Sequence, residues 1–295
     1  MSKVTIITDV PWQGDSLFSS VGSNGWVGGA EQELNALLER FKDNGIEYKL
    51  IGSRQVTPND LKEKGPYLIG NFFLLPEEVK KTLIRDKHYC IIENDFKFCP
   101  NRVPDIYPDH LVPSNEIRNL DFYRAAGSVF CLSDKQKSIF QNNSIKVTDV
   151  LETSFWTKQE VDVIFLYRES FINSPKAGCF YGVYGYKQDT KGTNQAIEYS
   201  IKDKKLPVIL YPAPKIEFLR NLGRCDALVF LPLITESLSR ITIEAYCLGV
   251  DVVFNERVSA AYEGWIQSNR TNISKRLLND KMEEAFGKIC MRLFS

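Results

Sequence analysis

The chain has 295 residues, is 43% hydrophobic and 25% charged, and is long enough for two domains that each bury a core. Its 37 basic residues balance 37 acidic ones, so it lacks the basic excess of a protein that grips nucleic acid along its length. With only His88 and His110, a histidine-rich metal site is not expected, and no apolar run approaches the roughly 18 residues of a membrane span. The seven cysteines are odd in number, form no Cys-x-x-Cys pair and sit mostly in apolar runs. They read as buried free thiols of a reducing compartment, which with the absence of a charged-then-apolar leader makes the cytoplasm the expected location.

The first β-branched run, Lys3–Asp9, predicts a strand buried on both faces. A loop with Gly22, Gly25, Gly28 and Gly29 follows, then a helix over Ala30–Asn44 with Leu34, Leu37, Leu38 and Phe41 on one face. Ile46–Ile51 completes a β-α-β unit whose glycine loop lies at the carboxyl end of a strand, where open α/β sheets bind ligands. Further strands are expected at Tyr67–Leu75, Lys87–Ile92, Ser128–Leu132 and Lys146–Val150, with helices at Pro76–Asp86, Asn115–Ala125 and Asp134–Asn142. Residues 101–112 read as loop, and residues 153–178 as an irregular polar stretch holding the domain boundary. A second set alternates strands at Gly178–Tyr184, Pro207–Tyr211, Ala227–Leu231 and Val250–Phe254 with helices at Thr193–Ser200, Ile216–Leu222 and Ser239–Leu248. Ser274–Phe294 has helical spacing and is long enough to cover a sheet face or cross back to the first domain. Alternation of this kind predicts parallel sheets, hence an α/β fold of two Rossmann-like domains facing across a cleft. The expected domains are 1–153, 154–273 and a C-terminal helix over 274–295.

Three motifs carry chemistry. Gly28-Gly29-Ala30-Glu31 allows close backbone approach before a helix start, or is simply a tight turn. It does not meet the dinucleotide fingerprint, and the chain has no nucleoside-triphosphatase loop. Lys187 and Lys191 follow the first strand of the second set, with Gly192 directly after Lys191. Lysine is a mobile point charge suited to a diphosphate leaving group, and equally common on solvated loops. Glu236 and Glu244 frame a helix start after the apolar run Ala227–Leu231. Free N–H groups there suit a phosphate and carboxylates suit sugar hydroxyls, which points to a nucleotide sugar. On spacing alone, Glu236 also reads as a cap and Glu244 as a solvated face.

Together these motifs resemble the retaining glycosyltransferases of the two-Rossmann-domain (GT-B) type, the large family-4 class. The matches are Gly28-Gly29-Ala30-Glu31, Lys191-Gly192, Glu236…Glu244 and the trailing Glu244-Ala-Tyr-Cys-Leu-Gly249-Val-Asp-Val-Val253. The resemblance implies metal-independent transfer of a sugar from a nucleotide sugar, with a UDP-sugar as the expected donor, to a hydroxyl on a glycan, lipid-linked sugar or small molecule, with no further cofactor. It implies that Glu244 binds ribose hydroxyls and that Glu236 lies at the donor sugar. It also implies that the N–H groups of Ser237, Leu238 and Ser239 meet the diphosphate and that Lys191, helped by Lys187, neutralises the departing nucleoside diphosphate. Gly28 and Gly29 would line the acceptor or diphosphate side.

One departure stands out. Many members present a histidine after the fourth strand, where this chain reads Ile91-Ile92-Glu93-Asn94-Asp95. Asn94 could bond a sugar hydroxyl there and Asp95 could act as base for the acceptor. Two other readings stay open: a nucleotide-sugar-binding module that has lost turnover, and a transferase acting on modified DNA bases, against which the zero net charge argues.

Overall fold

A computed structural model describes residues 3–15, 17, 28–62, 65–172, 180–185, 189–211, 214–270 and 273–295. The described residues fall into two compact units, one drawn from Met1–Gln13, Gly28–Phe155 and Met282–Ser295, the other from Gly14–Val27 and Trp156–Lys281.

The first unit runs β1 (Lys3–Thr8), α1 (Gly29–Asp43), β2 (Glu47–Gly52), β3 (Tyr67–Ile69), α2 (Glu77–Asp86), β4 (Tyr89–Glu93), α3 (Leu120–Ala125), β5 (Ser128–Cys131), α4 (Asp134–Asn142) and β6 (Asp149–Val150). Its six strands pair in the order β2-β1-β3-β4-β5-β6, and every pairing is parallel. Parallel neighbours need crossovers, so helices cover the faces and the strands read as near-continuous apolar runs. Val4, Ile6 and Ile7 of β1 are fully buried, as are Cys90 and Ile91 of β4. Phe72, Phe96, Phe98, Phe122, Tyr123 and Phe140 form an aromatic layer with mostly edge-to-face contacts. Each such side chain contributes about 1.5–3 kcal/mol by leaving water.

The second unit runs α5 (Lys158–Ile172), β7 (Phe180–Tyr184), α6 (Thr193–Lys202), β8 (Leu206–Leu210), α7 (Lys215–Gly223), β9 (Ala227–Phe230), α8 (Arg240–Cys247), β10 (Asp251–Phe254), α9 (Gly264–Gln267) and α10 (Lys275–Leu293). Its strands pair in the order β10-β9-β7-β8, again all parallel. The α/β class and both sheets therefore agree with the sequence pattern. From Met282 onward α10 belongs to the first unit, where Lys288 donates to the Val150 carbonyl at 2.9 Å and Arg292 to Asp149 at 3.0 Å.

Four elements differ from expectation. Residues 158–172, read as irregular, are the helix α5. Its start is a capping box: the Thr157 N–H donates to Glu160 Oε2 at 2.9 Å and the Glu160 N–H to Thr157 Oγ1 at 3.1 Å. The expected strand Tyr67–Leu75 stops at Ile69 because the chain turns, with Leu75 N–H donating to the Phe72 carbonyl and Leu74 N–H to Asp9 Oδ1. Phe72 and Leu75 are buried in that turn rather than in the sheet. The expected helix Asn115–Ala125 begins only at Leu120, since Asn119 has φ 58°, outside the helical region. The expected strand Lys146–Val150 shortens to Asp149–Val150, its pairing confined to the end of β5.

Candidate functional site

In the second unit, β7 and β9 are neighbours, and the loops at their carboxyl ends are knitted together. Leu233 N–H donates to the Thr190 carbonyl at 2.9 Å, and Thr193 Oγ1 donates to the Tyr184 carbonyl at 2.8 Å. Gly192 sits at φ +67° with its N–H on the Asp189 carbonyl, closing the short turn that carries Lys191. The result brings two expected residues together from separate motifs: Lys191 Nζ lies 2.6 Å from Glu236 Oε1. Both side chains are partly exposed, 26% and 14%, so a ligand can reach the pair.

Glu236 is fixed by its backbone. Its N–H donates to the Arg257 carbonyl at 2.9 Å, and its own carbonyl accepts from Ser259 Oγ at 2.5 Å. Leu238 is held likewise, its carbonyl accepting the Ala260 N–H at 2.8 Å. Ser239 caps α8 at φ 82°, a conformation non-glycine residues seldom take. Its hydroxyl hydrogen-bonds Thr242 Oγ1 at 2.9 Å. Ser237, Leu238 and Ser239 thus form the turn leading into α8, with Glu244 one helical turn further on.

Glu244 is not a solvated residue; it is 1% exposed. Its Oε1 accepts from Lys215 Nζ at 2.5 Å and from Trp156 Nε1 at 2.9 Å, while Arg240 Nε lies 3.9 Å away. Arg240 also stacks over Trp156, 4.7 Å from the ring centroid, and pairs with Glu160 at 3.4 Å. Two acids and two bases thereby neutralise one another out of water, as buried charges require. Glu244 Oε2 is buried and has no partner among the described residues.

Sequence reasoning missed Lys215, Trp156 and Arg240. One signal was present: Lys215 is the first residue of α7, where a cation opposes the helix dipole and needs another reason to be there. Lys187 lies outside the described residues, as do Gly22 and Gly25 of the glycine loop.

In the first unit, Gly28 caps α1 and its carbonyl accepts the Gln32 N–H at 3.1 Å. The Glu31 carboxylate folds over it, Oε2 lying 2.7 Å from where a Gly28 Cβ would be. Gly29 is exposed. Asn94 Nδ2 donates to Glu33 Oε1 at 3.0 Å, and Ser154 Oγ donates to Glu33 Oε2 at 2.6 Å. Glu33, 4% exposed and not singled out in the sequence, therefore organises Asn94. Beside them is a cavity of about 20 Å³ lined by Thr8, Gly70, Asn71 and Asn94, room for a single water. Asp95 is engaged twice, accepting the Phe96 N–H at Oδ1 and pairing with Arg102 at 3.1 Å through Oδ2. Glu93 is fully buried, taking Lys97 Nζ at 2.5 Å and Tyr123 OH at 2.5 Å. Burial pushes its carboxyl up from the usual range, with the Lys97 ammonium opposing that shift. Gln136 donates to the Glu93 and Asp95 carbonyls at 2.9 Å each, so the turn bearing Asn94 is rigidly held. Among the described residues no His, Cys, Asp and Glu side chains cluster as metal ligands, and no helix is long and apolar enough to cross a membrane.

Compared with solved structures, the chain superposes over its whole length on sucrose-phosphate synthase from Thermosynechococcus elongatus, with TM-score 0.61 at 10% identity, covering 100% of this chain and 99% of that one. The fold is that of the GT-B glycosyltransferases. Anabaena HepE in complex with UDP and glucose matches with TM-score 0.55 at 11% identity, covering 99% and 96% of the two chains. The same protein in complex with UDP-glucose matches with TM-score 0.52 at 11% identity, covering 99% and 92%. No protein-family model matches the chain, and no curated protein sequence matches it. At these identities the likeness to GT-B structures is one of fold.

Proposed function

We propose that the chain is a retaining, metal-independent glycosyltransferase that moves a sugar from a UDP-sugar to a hydroxyl acceptor. The observation that carries this reading is the pairing of Lys191 with Glu236 at the carboxyl end of adjacent strands. A mobile ammonium beside a carboxylate suits a reaction in which a diphosphate leaves from a sugar carbon. HepE, of the same fold, is bound to UDP and to UDP-glucose, which supports that donor class.

In this reading Lys191, with Lys187, turns from Glu236 to the diphosphate as the bond from the anomeric carbon to the phosphate oxygen breaks. Its charge then stabilises the leaving group where negative charge develops. The acceptor oxygen bonds to the same face of the sugar and gives its proton to the acceptor-side base, while the nucleoside diphosphate leaves as the anion that Lys191 and Lys187 neutralise. Glu236 holds the donor sugar, and the Ser237, Leu238 and Ser239 amides take the diphosphate. Oε2 of Glu244 accepts a ribose hydroxyl once Lys215 or Arg240 swings aside. Gly28, Gly29 and Asn94 serve the acceptor side, with Asp95 as base when Arg102 releases it.

The test is incubation with a panel of UDP-sugars and acceptors, following product by mass spectrometry and its anomeric configuration by NMR. Product with inverted configuration, or no transfer and no donor hydrolysis, contradicts the proposal. A second reading, a module that binds a nucleotide sugar without turnover, is favoured by the acceptor-side residues being already engaged: Asn94 by Glu33 and Asp95 by Arg102. Tight donor binding without turnover distinguishes it.

A further inference from the structure

A second and much larger cavity lies in the first unit, about 590 Å³ in volume, beside the loops that follow β3 and β4. It shares no lining residue with the small cavity at Asn94. Its size is that of a small-ligand pocket. Four cationic side chains line it, Lys80, Lys81, Lys97 and Arg118, against two acidic ones, Glu77 and Asp121. The chain as a whole carries no net charge, so this excess is local.

The four cations are not equivalent. Lys97 is spent on buried Glu93. Lys80 is only 6% exposed, with its Nζ donating to Glu77 Oε1 at 2.6 Å and to Asn119 Oδ1 at 2.8 Å. An ammonium has three donors, so one N–H of Lys80 is left without an acceptor among the described residues. Asn119 is itself clamped, its Nδ2 donating to the Lys97 carbonyl at 2.8 Å, so Lys80 is held in place before any ligand arrives. Lys81 and Arg118 are exposed and have no ion-pair partner among the described residues. Phe73 (50% exposed) and Ile84 (38% exposed) give the pocket an apolar wall. Arg102 lies against the Phe73 ring, 4.9 Å from its centroid.

We propose that this cavity binds a small molecule bearing a phosphate monoester. The phosphate meets Lys81, Arg118 and the spare Lys80 donor, and the carbon skeleton packs on Phe73 and Ile84. A carboxylate has one charge and two oxygens to offer. A phosphate monoester has nearly two charges and three strong acceptor oxygens, which suits a cavity lined by Lys80, Lys81 and Arg118. The site does not depend on the transferase reading.

The test is calorimetric titration of the full chain with glucose 6-phosphate, inorganic phosphate and glucose as probes. Glucose 6-phosphate is expected to bind with a Kd below about 1 mM, more tightly than inorganic phosphate, and glucose not to bind. The double variant Lys81→Glu/Arg118→Glu, both positions exposed, should weaken that binding at least about ten-fold with the melting temperature unchanged. Phe73→Ala should erase the preference for the ester over inorganic phosphate. Absence of binding by both phosphate probes at about 10 mM, or affinity that survives the double variant, overturns the proposal.

Discussion

Gly192 packs directly onto the carbonyl of Leu231: a Cβ on Gly192 would lie 1.8 Å from that oxygen. This contact locks the loop after β7 to the loop after β9 and so sets the position of Lys191 beside Glu236. Gly192→Ala adds both a clash with backbone and a left-handed φ of +67°. The expected loss is at least about 2 kcal/mol in urea unfolding, since strained φ alone costs about 1–3 kcal/mol. The variant should also lose donor binding. A variant as stable as the parent contradicts the locked-loop description.

Lys191→Ala separates binding from chemistry. If the ammonium acts mainly on the departing diphosphate, kcat falls by about 100-fold or more while donor affinity changes several-fold at most. Equal losses in kcat and in affinity, from kinetics and calorimetry on the same preparation, contradict that role.

Glu244 needs two substitutions, because it supports the fold as well as the proposed donor site. Glu244→Ala leaves Lys215 and Arg240 buried with one carboxylate, Glu160, between them. Removing one partner of a buried pair costs about 3–5 kcal/mol, so this variant is expected to melt well below the parent. Glu244→Gln keeps an oxygen for Trp156 and should cost about 1–3 kcal/mol. Donor affinity of the glutamine variant, measured far below its melting temperature, reads the ribose contact. Unchanged affinity there assigns Glu244 to the fold alone.

Much of this architecture was legible because it rests on local pattern. The β-branched run Lys3–Asp9 and the apolar run Ala227–Leu231 gave strands, and the spacing of Leu34, Leu37, Leu38 and Phe41 gave α1. The helix α5 was missed although Thr157 and Glu160 form its capping box, because Val161, Val163, Phe165, Leu166 and Phe171 show no clean helical stripe and Leu166 is 60% exposed. Of the residues grouped in the second unit, Lys191, Glu236 and Glu244 were singled out by their motifs together with the family resemblance, spacing alone leaving a cap or a solvated face open. Trp156, Lys215 and Arg240 were not, since they come from three distant segments and meet only through tertiary packing. Glu33 was read as part of a helix, and its burial against Asn94 and Ser154 joins residues 61 and 121 positions away.

The cysteines give a pH prediction. Burial pushes Cys90 and Cys290 up to about 11 from 9.0, and it raises Cys99, Cys131 and Cys247 as well. A thiol whose folded pKa is raised keeps its proton while the unfolded chain has already released it. Its contribution to stability is therefore complete below about pH 9 and is lost as pH rises through about 11. Unfolding by urea should show falling stability from pH 8.5 to 10.5, and Cys90→Ala should flatten part of the slope. Thiol reagents at pH 7.5 should leave Cys131 and Cys247, both fully buried, unlabelled until denaturant is added.

The central claim is that the second unit binds a nucleotide sugar through Lys191 and Glu236. The most direct measurement is calorimetric titration with nucleoside diphosphates and their sugars, with Lys191→Ala and Glu236→Gln alongside. The expected result is binding of UDP and of at least one UDP-sugar, with Glu236→Gln weakening the sugar more than UDP itself. Absence of binding by every nucleotide at millimolar concentration, or binding that neither substitution alters, contradicts it.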